Sequence, residues 1–145
     1  MNVKIKDLMV ERVITARPHH SVEHLRGLME NNGLHAVPIL GPEGEAVGIV
    51  TSSDLIGSLK AGTPASRIMS RRVFCAPAYN DIHVAARVMR KHGIHHVVVT
   101  HEKQVVGIIS SFDLLKLVED KRFTAKPAPR AEKRKSGRRK AAATA

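Results

Sequence analysis

The chain has 145 residues, enough for one domain or for two small repeats that share a core, and 43% of them are apolar. Tryptophan is absent and aromatic residues make up 3%, so the core must consist of aliphatic side chains and methionine. The single cysteine excludes an internal disulfide and fits a reducing compartment. The sequence has no secretory signal pattern, and no apolar run approaches the ~20 residues of a membrane helix. We therefore expect a cytoplasmic protein with no membrane partner.

The net charge of +11 is concentrated at the C-terminal end. From Lys121 onward there are ten Lys and Arg residues and one acidic residue, Glu132, so the first 120 residues carry a net charge of only +2. Residues 123–145 lack the large apolar side chains that a core requires, and we expect a disordered basic tail there. Such a tail can bind the phosphates of nucleic acid or an acidic protein, and a merely solvated tail is the alternative.

The sequence repeats itself at an offset of sixty residues. The offset pairs Met9 with Met69, Val13 with Val73, Gly33 with Gly93, His35 with His95 and Val37 with Val97. After a one-residue deletion, an offset of fifty-nine pairs Gly48 with Gly107 and Asp54 with Asp113. Self-similarity over most of 120 residues indicates a duplicated unit. Because each unit is too small to bury its own faces well, we expect residues 1–62 and 63–122 to pack together as a pseudo-twofold pair.

The first unit is predicted to be βαββα. A short strand at 13–15 precedes a helix with Ser21 as its N-cap and Gly33 as its C-cap. Strands at 35–40 and 46–50 form a hairpin, in which Pro38 indicates an edge or a bulge. A second helix opens at Thr51 and continues to about residue 62.

The second unit follows the same plan. A strand at 73–76 is followed by a helix that Asp81 caps and Gly93 ends. Strands at 94–100 and 104–109 form the hairpin, and a helix runs from Ser110 to about residue 120. Residues 68–69 form a lead-in that matches residues 8–9 of the first unit.

Each unit contains one chemically distinctive segment, a glycine and an apolar run followed by a hydroxyl residue and then an aspartate. The two copies are Gly48-Ile49-Val50-Thr51-Ser52-Ser53-Asp54 and Gly107-Ile108-Ile109-Ser110-Ser111-Phe112-Asp113. A strand that ends at a helix N-terminus leaves free backbone N–H groups and a positive dipole end, so the pattern predicts two anion-binding corners. The hydroxyl-x-x-Asp spacing also matches a capping box, which needs no ligand. Both interpretations stay open, and they are compatible.

These segments, together with Gly33-Leu34-His35-Ala36-Val37-Pro38 and Gly93-Ile94-His95-His96-Val97-Val98, resemble a tandem pair of CBS motifs, also called a Bateman module. The resemblance covers about residues 1–120. It implies an α/β fold of two βαββα CBS repeats packed about a pseudo-twofold axis. It also implies a non-enzymatic regulatory module that binds AMP, ADP or ATP, and in some members S-adenosylmethionine, in clefts between the repeats. The ligand would signal to a partner or to the module's own assembly, commonly a homodimer, and no other cofactor is implied.

The resemblance also implies the ligand-binding residues. Asp54 and Asp113 would accept the ribose hydroxyls, since one carboxylate can accept both hydroxyls of a cis diol. Thr51 and Ser110 would offer hydroxyl and N–H groups to the nucleotide. The remaining candidates are His35, His95 and His96 for phosphate, the backbone of Val37 and Val97 for the adenine edge, and Thr15, Ala36 and Cys75 as neighbouring positions.

Two of these positions depart from the family pattern. Ala36 replaces a second polar residue, which weakens phosphate binding in the first cleft. Cys75 stands where the first repeat has Thr15, and it is predicted to pack in a strand. For the histidines, ordinary half-buried strand positions are the alternative interpretation.

Metal and catalytic sites are disfavoured by the sequence. The groups His20-x-x-x-His24 and His92-x-x-His95-His96 have usable ligand spacings, but Gly93 puts His92 on a different element. No nucleophile–base pair, Walker-type loop or carboxylate dyad occurs. We therefore expect no metal, no catalytic residue and no enzyme activity. The competing hypothesis is a nucleic-acid-associated dimer that acts through its basic tail.

Overall fold

The computed structural model describes residues 2–119 together with Pro129. The longer elements in chain order are α1 (Ile5–Leu8), α2 (Val22–Asn32), β1 (Ala36–Leu40), β2 (Ala46–Thr51), α3 (Ala65–Ile68), β3 (Cys75–Pro77), α4 (Ile82–His92), β4 (His96–His101), β5 (Gln104–Ser110) and α5 (Ser111–Leu114). One 3₁₀ turn, Ser52–Leu55, follows β2, and a second, Leu115–Leu117, follows α5. The predicted disordered tail lies outside the described residues, apart from Pro129. Within the described part of the chain, no helix combines the length and the apolar character that a bilayer crossing requires.

The structure confirms a mixed α/β fold made of two similar repeats. In the first repeat β1 pairs antiparallel with β2, and in the second β4 pairs antiparallel with β5. β3 adds a parallel edge strand to β4, which gives the order β3-β4-β5. The register of the first hairpin shifts between Ile39 and Leu40, just after Pro38.

The long helix of each repeat begins and ends close to where the sequence predicts. The Ser21 hydroxyl accepts a hydrogen bond from the His24 N–H at 3.1 Å, as an N-cap should. Gly33 and Gly93 both have φ of 63° and end α2 and α4 in the left-handed conformation that glycine tolerates. Asp81 holds the N-cap position of α4, but the prediction that it caps with its side chain is wrong. Its carboxylate instead accepts a hydrogen bond from Lys4 Nζ at 2.7 Å.

The predicted first strand at 13–15 does not form. Only Ala16 pairs with β1, donating its N–H to Pro38 O at 3.0 Å and accepting from Leu40 N at 2.9 Å. A single residue makes both bonds, so the segment is a bridge rather than a strand. The matching strand of the second repeat exists but lies slightly later than predicted, at β3.

The helix predicted after Thr51 is reduced to the turn Ser52–Leu55, whereas the helix predicted after Ser110 forms as α5 and continues as the 3₁₀ turn Leu115–Leu117, a few residues short of the expected end. After the turn Ser52–Leu55, Gly57 has φ of 102°, which a helix cannot accommodate. The chain then crosses the start of α2, where Val22 N donates to Thr63 O at 2.7 Å and Glu23 N donates to Ala61 O at 3.1 Å. These carbonyls accept from N–H groups that a helix start leaves without a partner inside the helix. Residues 61–63 therefore cap α2 and do not form a helix of their own.

The two repeats exchange their lead-in segments, which are residues 3–10 with α1 in the first repeat and residues 63–74 with α3 in the second. Ile5 of α1 is fully buried in the core of the second repeat, among residues such as Ile82 and Val97. Ala65 of α3 is fully buried in the core of the first repeat, beside Val22 and others. Each lead-in is therefore part of the other repeat's hydrophobic core.

Backbone hydrogen bonds fix this exchange in the same way on both sides. Val10 and Ile108 bond reciprocally at 2.8 and 3.1 Å, and Ile49 and Ser70 do so at 3.0 and 2.9 Å. The hairpin turns also touch, because Gln104 Nε2 donates to Glu43 O at 2.8 Å. The pair of repeats therefore forms one interlocked unit.

The glycine that opens each distinctive segment makes room for a lead-in methionine. A Cβ placed on Gly48 would lie 2.8 Å from Met69 Cγ, and one on Gly107 would lie 3.1 Å from Met9 Cγ and 2.9 Å from the backbone oxygen of Val10. A methionine side chain can move aside. The Val10 carbonyl cannot, because it accepts the Ile108 N–H.

We predict that Gly107→Ala destabilises the protein more than Gly48→Ala does. Overpacking against fixed backbone should cost about 1–3 kcal/mol at Gly107, and less at Gly48, where the side chain can yield. Urea unfolding followed by circular dichroism measures the difference. Gly27→Ala on α2 is the control: no atom lies within 4 Å of its added Cβ, so stability should stay equal or rise. Equal losses at Gly48 and Gly107 would contradict the role of the Val10 carbonyl.

Candidate functional site

A cleft of about 730 Å³ lies between the two repeats, a volume in the ordinary range for small-molecule sites. The first repeat contributes His35 at the start of its hairpin and the corner that contains Thr51 and Asp54. The second repeat contributes its own corner, its hairpin start and the segment before β3. The lining residues are His35, Ile49, Thr51, Ser52, Ser53, Asp54, Ser70, Arg72, Phe74, Gly93, Ile94, His95, His96, Ser110, Ser111 and Phe112.

Both aspartates of the repeated segment form capping boxes. Asp54 Oδ2 accepts from Thr51 N at 2.8 Å and from Thr51 Oγ1 at 3.1 Å. Asp113 Oδ2 accepts from Ser110 N at 2.9 Å and from Ser110 Oγ at 3.1 Å. The capping interpretation is thus confirmed at both corners. In each case a single oxygen caps, which leaves Oδ1 for other partners.

The two remaining oxygens differ. Asp54 is half-buried and lines the cleft, and within the described residues its Oδ1 has no hydrogen-bond partner. Asp113 is 8% exposed and does not line the cleft, and its Oδ1 lies 3.9 Å from Lys116 Nζ. In this cleft only Asp54 offers a free carboxylate oxygen.

The two corners offer fewer unbonded N–H groups to an anion than the sequence predicts, because several of these groups already donate within the chain. Thr51 N and Ser110 N donate to the capping aspartates. Ser52 N and Ser111 N donate to the carbonyls of His35 and His95, both at 2.9 Å. The turns that follow span only four residues each, so the helix dipole is small. Side chains must supply most of the positive charge for an anion.

Those side chains are Arg72 and three histidines. His95 is exposed, with Nδ1 3.2 Å from Ser111 Oγ, and His35 is exposed on the opposite repeat. Burial lowers the pKa of His96, and the nearby His95 and His35 lower it further, while Asp113 acts in the opposite direction. An anion bound beside His96 would favour its charged form. The cleft therefore combines one carboxylate with one permanent cation and several titratable ones.

Apolar walls complete the cleft. Phe74 stacks on the ring of His92 at 4.2 Å, and the guanidinium carbon of Arg72 lies 5.2 Å from the centre of the Phe74 ring. Phe112 lines the cleft and is 76% exposed, so its ring is available to stack on a flat ligand. Ile49 and Ile94 add aliphatic surface.

The cleft brings together six of the predicted site residues: His35, Thr51, Asp54, His95, His96 and Ser110. Ala36, Val37 and Val97 are buried in β1 and at the start of β4, and Thr15 is half-buried just before the Ala16 bridge. None of these four lines this cleft. Cys75 begins β3 as an exposed residue, and desolvation of its sulfur raises the pKa of the thiol.

Sequence reasoning missed the contributions of Ser70, Arg72 and Phe74. They come from the lead-in of the second repeat, which reaches the first repeat's corner because Ser70 bonds to Ile49. The segment is Ser70-Arg71-Arg72-Val73-Phe74, and nothing in this local order marks cleft residues. Their place in the cleft depends on the exchange of lead-ins, which a local pattern does not reveal.

A metal site has no support in the part of the chain that the structure describes. Within residues 2–119, no three His, Cys, Asp or Glu side chains come together as a metal ion would require. His19, His20 and His24 do stack, with neighbouring ring centres 4.5 Å apart. His20 Nδ1, however, already accepts the Arg17 N–H at 2.9 Å.

The fold is a pair of interlocked α/β repeats with a cleft between them. The CBS domain family model matches this chain twice, at residues 5–61 and 65–120. The chain belongs to the CBS domain family and contains a tandem pair of its repeats.

The curated relatives include both long and short proteins. The chain is 33% identical over 116 residues to a homoserine O-acetyltransferase of Methanosphaerula palustris, a match that covers 79% of this chain and 24% of that protein. It is 25% identical over 115 residues to the CBS domain-containing protein YhcV of Bacillus subtilis, covering 76% and 81%. The chain thus spans about a quarter of the first relative and most of the second.

Solved structures of CBS pairs superpose well. The CBS domain pair of protein MJ0100, in complex with 5′-methylthioadenosine and S-adenosyl-L-methionine, has a TM-score of 0.74 at 28% identity, covering 81% of this chain and 96% of that one. An acetoin utilization protein (AcuB) from Vibrio cholerae has a TM-score of 0.72 at 27% identity, covering 81% and 90%. Both matches leave little of the solved chain unaccounted for.

We predict that Asp54→Asn leaves stability nearly unchanged, whereas Asp54→Ala lowers it by about 1 kcal/mol. Asparagine keeps a carbonyl oxygen that can accept the Thr51 N–H, and alanine does not. Chemical denaturation of both variants measures the effect. Asp113→Asn and Asp113→Ala form the matched pair at the other corner. If Asp54→Ala unfolds like the wild type, the cap at Asp54 does not contribute to stability.

Proposed function

We propose that the chain is a regulatory module that binds an adenine nucleotide in the cleft between its two repeats. The observation that carries the proposal is Asp54, which lines the same cleft as Arg72 and the three histidines and whose Oδ1 has no hydrogen-bond partner among residues 2–119. A carboxylate oxygen suits the ribose hydroxyls, and the cations suit phosphate. The adenosyl ligands of the MJ0100 pair, at 28% identity, support an adenosyl ligand here.

The charge of the cleft favours AMP, ADP or ATP over S-adenosylmethionine. Arg72 carries a permanent positive charge, and the imidazole rings of His35, His95 and His96 can donate hydrogen bonds to phosphate oxygens. A sulfonium ligand would add a further cation to this group, whereas a phosphate would be attracted to it. Phe112 and the isoleucines offer apolar surface to the adenine ring.

The regulatory signal would come from the way one ligand joins two repeats. Asp54 belongs to the first repeat, while Arg72, His95 and His96 belong to the second. The turn of Asp54 is tied to α2, because Arg26 Nη2 donates to Leu55 O at 2.9 Å. A nucleotide held by both repeats would therefore change the position of α2 relative to the second repeat. The size of this shift would depend on how much more tightly the nucleotide binds one arrangement of the repeats than the other.

A second copy of the chain is the partner that the exposed apolar surface favours. Ile56 and Leu115 occupy equivalent positions after the two corners and are 77% and 55% exposed, and Val118 nearby is 58% exposed. Isolated exposed apolar residues are common, but a repeated pair fits a symmetric contact. Homodimerisation is thus part of the proposal. Binding of nucleic acid or an acidic protein by the tail remains a prediction outside the described residues.

Calorimetric titration of nucleotide-free protein with AMP, ADP, ATP and S-adenosylmethionine tests the proposal. We expect saturable binding of at least one phosphorylated ligand, tighter than that of S-adenosylmethionine. Asp54→Asn should weaken it about 10- to 100-fold, as expected for a lost hydrogen bond to a charged group. Glu30→Gln, which removes an exposed carboxylate from α2, is the control and should bind normally. The absence of saturable binding by all four ligands would refute the proposal.

We also predict that affinity for a phosphorylated ligand depends on the protonation of His96. The free protein has a lowered His96 pKa, and a bound phosphate raises it, so the complex takes up a proton. Affinity should therefore rise as the pH falls through the raised pKa of His96 in the complex, and should level off below the pKa of His96 in the free protein, which burial holds below its usual value.

The measurement is the dissociation constant of wild type and His96→Asn between pH 8 and about 5.5. The phosphate itself titrates near pH 6, so the relevant quantity is the difference between the two proteins. 5′-Methylthioadenosine, which has no phosphate, serves as the control ligand. If His96→Asn has the same pH profile as wild type, His96 does not contact the phosphate.

A further inference from the structure

The long helices of the two repeats have the same place in the fold but opposite charge. Exposed Glu23 and Glu30 of α2 correspond to exposed His83 and Arg90 of α4 at the sixty-residue offset. Arg87 and Lys91 likewise take the positions of Gly27 and Asn31. Helix α4 contains no acidic residue, whereas α2 has two.

Folding does not require this difference. The equivalent positions lie on the outer surface of equivalent helices, while the buried faces match: Val22, Leu25 and Met29 in α2, and Ile82, Ala85 and Met89 in α4. Within residues 2–119, no carboxylate lies within 4 Å of the charged groups of Arg87, Arg90 or Lys91. Arg90 and Lys91 lie in the last turn of α4, where the helix dipole favours cations, and their repulsion with Arg87 at three- and four-residue spacing opposes this by a similar amount. An interaction with another molecule explains these three basic residues better than packing within the chain does.

The basic residues form a continuous stripe. Positions 83, 87, 90 and 91 fall on one side of a helix with 3.6 residues per turn, and 83 and 90 lie about 10 Å apart along its axis. His92, which stacks on Phe74, lies on the other side of α4 and is not part of the stripe, and Arg72 contacts the Phe74 ring there. Arg71, next to it, is exposed and stands where the first repeat has Glu11.

We propose that this α4 face, made of His83, Arg87, Arg90 and Lys91, binds the phosphodiester backbone of nucleic acid. Arginine forks pair with phosphate oxygens, and a row of cations about 10 Å long matches two or three successive phosphates. Phe74 is covered by His92, and the α4 face carries no Phe, Tyr or Trp, so the contact depends mainly on charge and not on base identity. The site belongs to the folded body and is separate from the basic tail.

The test uses the full-length chain with its tail neutralised by glutamine at Lys133, Arg134, Lys135, Arg138, Arg139 and Lys140. In this background, fluorescence anisotropy measures binding of a fluorescein-labelled single-stranded RNA 20-mer at several salt concentrations. Changing Arg87, Arg90 and Lys91 to Gln should weaken binding at least about tenfold at 50 mM salt and reduce the salt slope by about 2. None of the three lines the cleft, so nucleotide affinity should not change.

The matched control is Glu23→Gln with Glu30→Gln, which alters the equivalent face of α2 and should not weaken RNA binding. Three outcomes would overturn the proposal: no RNA binding at 50 mM salt in the tail-neutralised chain, equal binding by the α4 variant, or poly-glutamate binding as tight as RNA with the same loss in the variant. The last would assign the face to acidic proteins. Loss of RNA binding by the α4 variant would support the proposal whether or not the cleft binds a nucleotide, so the two proposals can fail separately.

Discussion

The exchange of lead-in segments between the repeats is the constraint on which the rest of the structure depends. Ile5 and Ala65 are completely buried, each in the core of the repeat to which it does not belong by sequence. The same exchange carries Ser70 and Arg72 to the first repeat's corner. The cleft is therefore a product of how the repeats interlock, and neither repeat contains it alone.

In the cleft, backbone N–H groups hold the corners together, so a ligand would be contacted mainly by side chains. The N–H groups of Thr51 and Ser52 are consumed by the Asp54 carboxylate and the His35 carbonyl. This arrangement fixes the corner without a ligand, so the proposed site would already be formed before binding. Preorganisation of this kind lowers the entropic cost of binding. What remains free at the first corner is the Asp54 Oδ1, opposite a group of cations on the second repeat.

Repetition made most of the fold predictable. The pairing of Gly33 with Gly93 and of Asp54 with Asp113 gave the repeats, their helices and hairpins, and half of the proposed site residues line the cleft. Local pattern failed after residue 55, where hydrogen bonds to α2 override the helix that was expected. It also could not identify Arg72 as a cleft residue, because that position depends on a contact between segments distant in the chain. Side-chain direction likewise separates Asp54 from Asp113, although their sequence contexts are nearly identical.

The reciprocal exchange also bears on how such a unit can be moved between proteins. A fragment ending near residue 62 would expose Ile5 and leave the space of Ala65 empty, so a single repeat would be a poor donor in a gene fusion. The pair, by contrast, closes on itself through the Val10–Ile108 and Ile49–Ser70 bridges. It can be inserted into or appended to a longer chain without rearranging its core. A pair with a self-contained core can occur as one segment of a longer protein, and the chain matches about a quarter of a homoserine O-acetyltransferase.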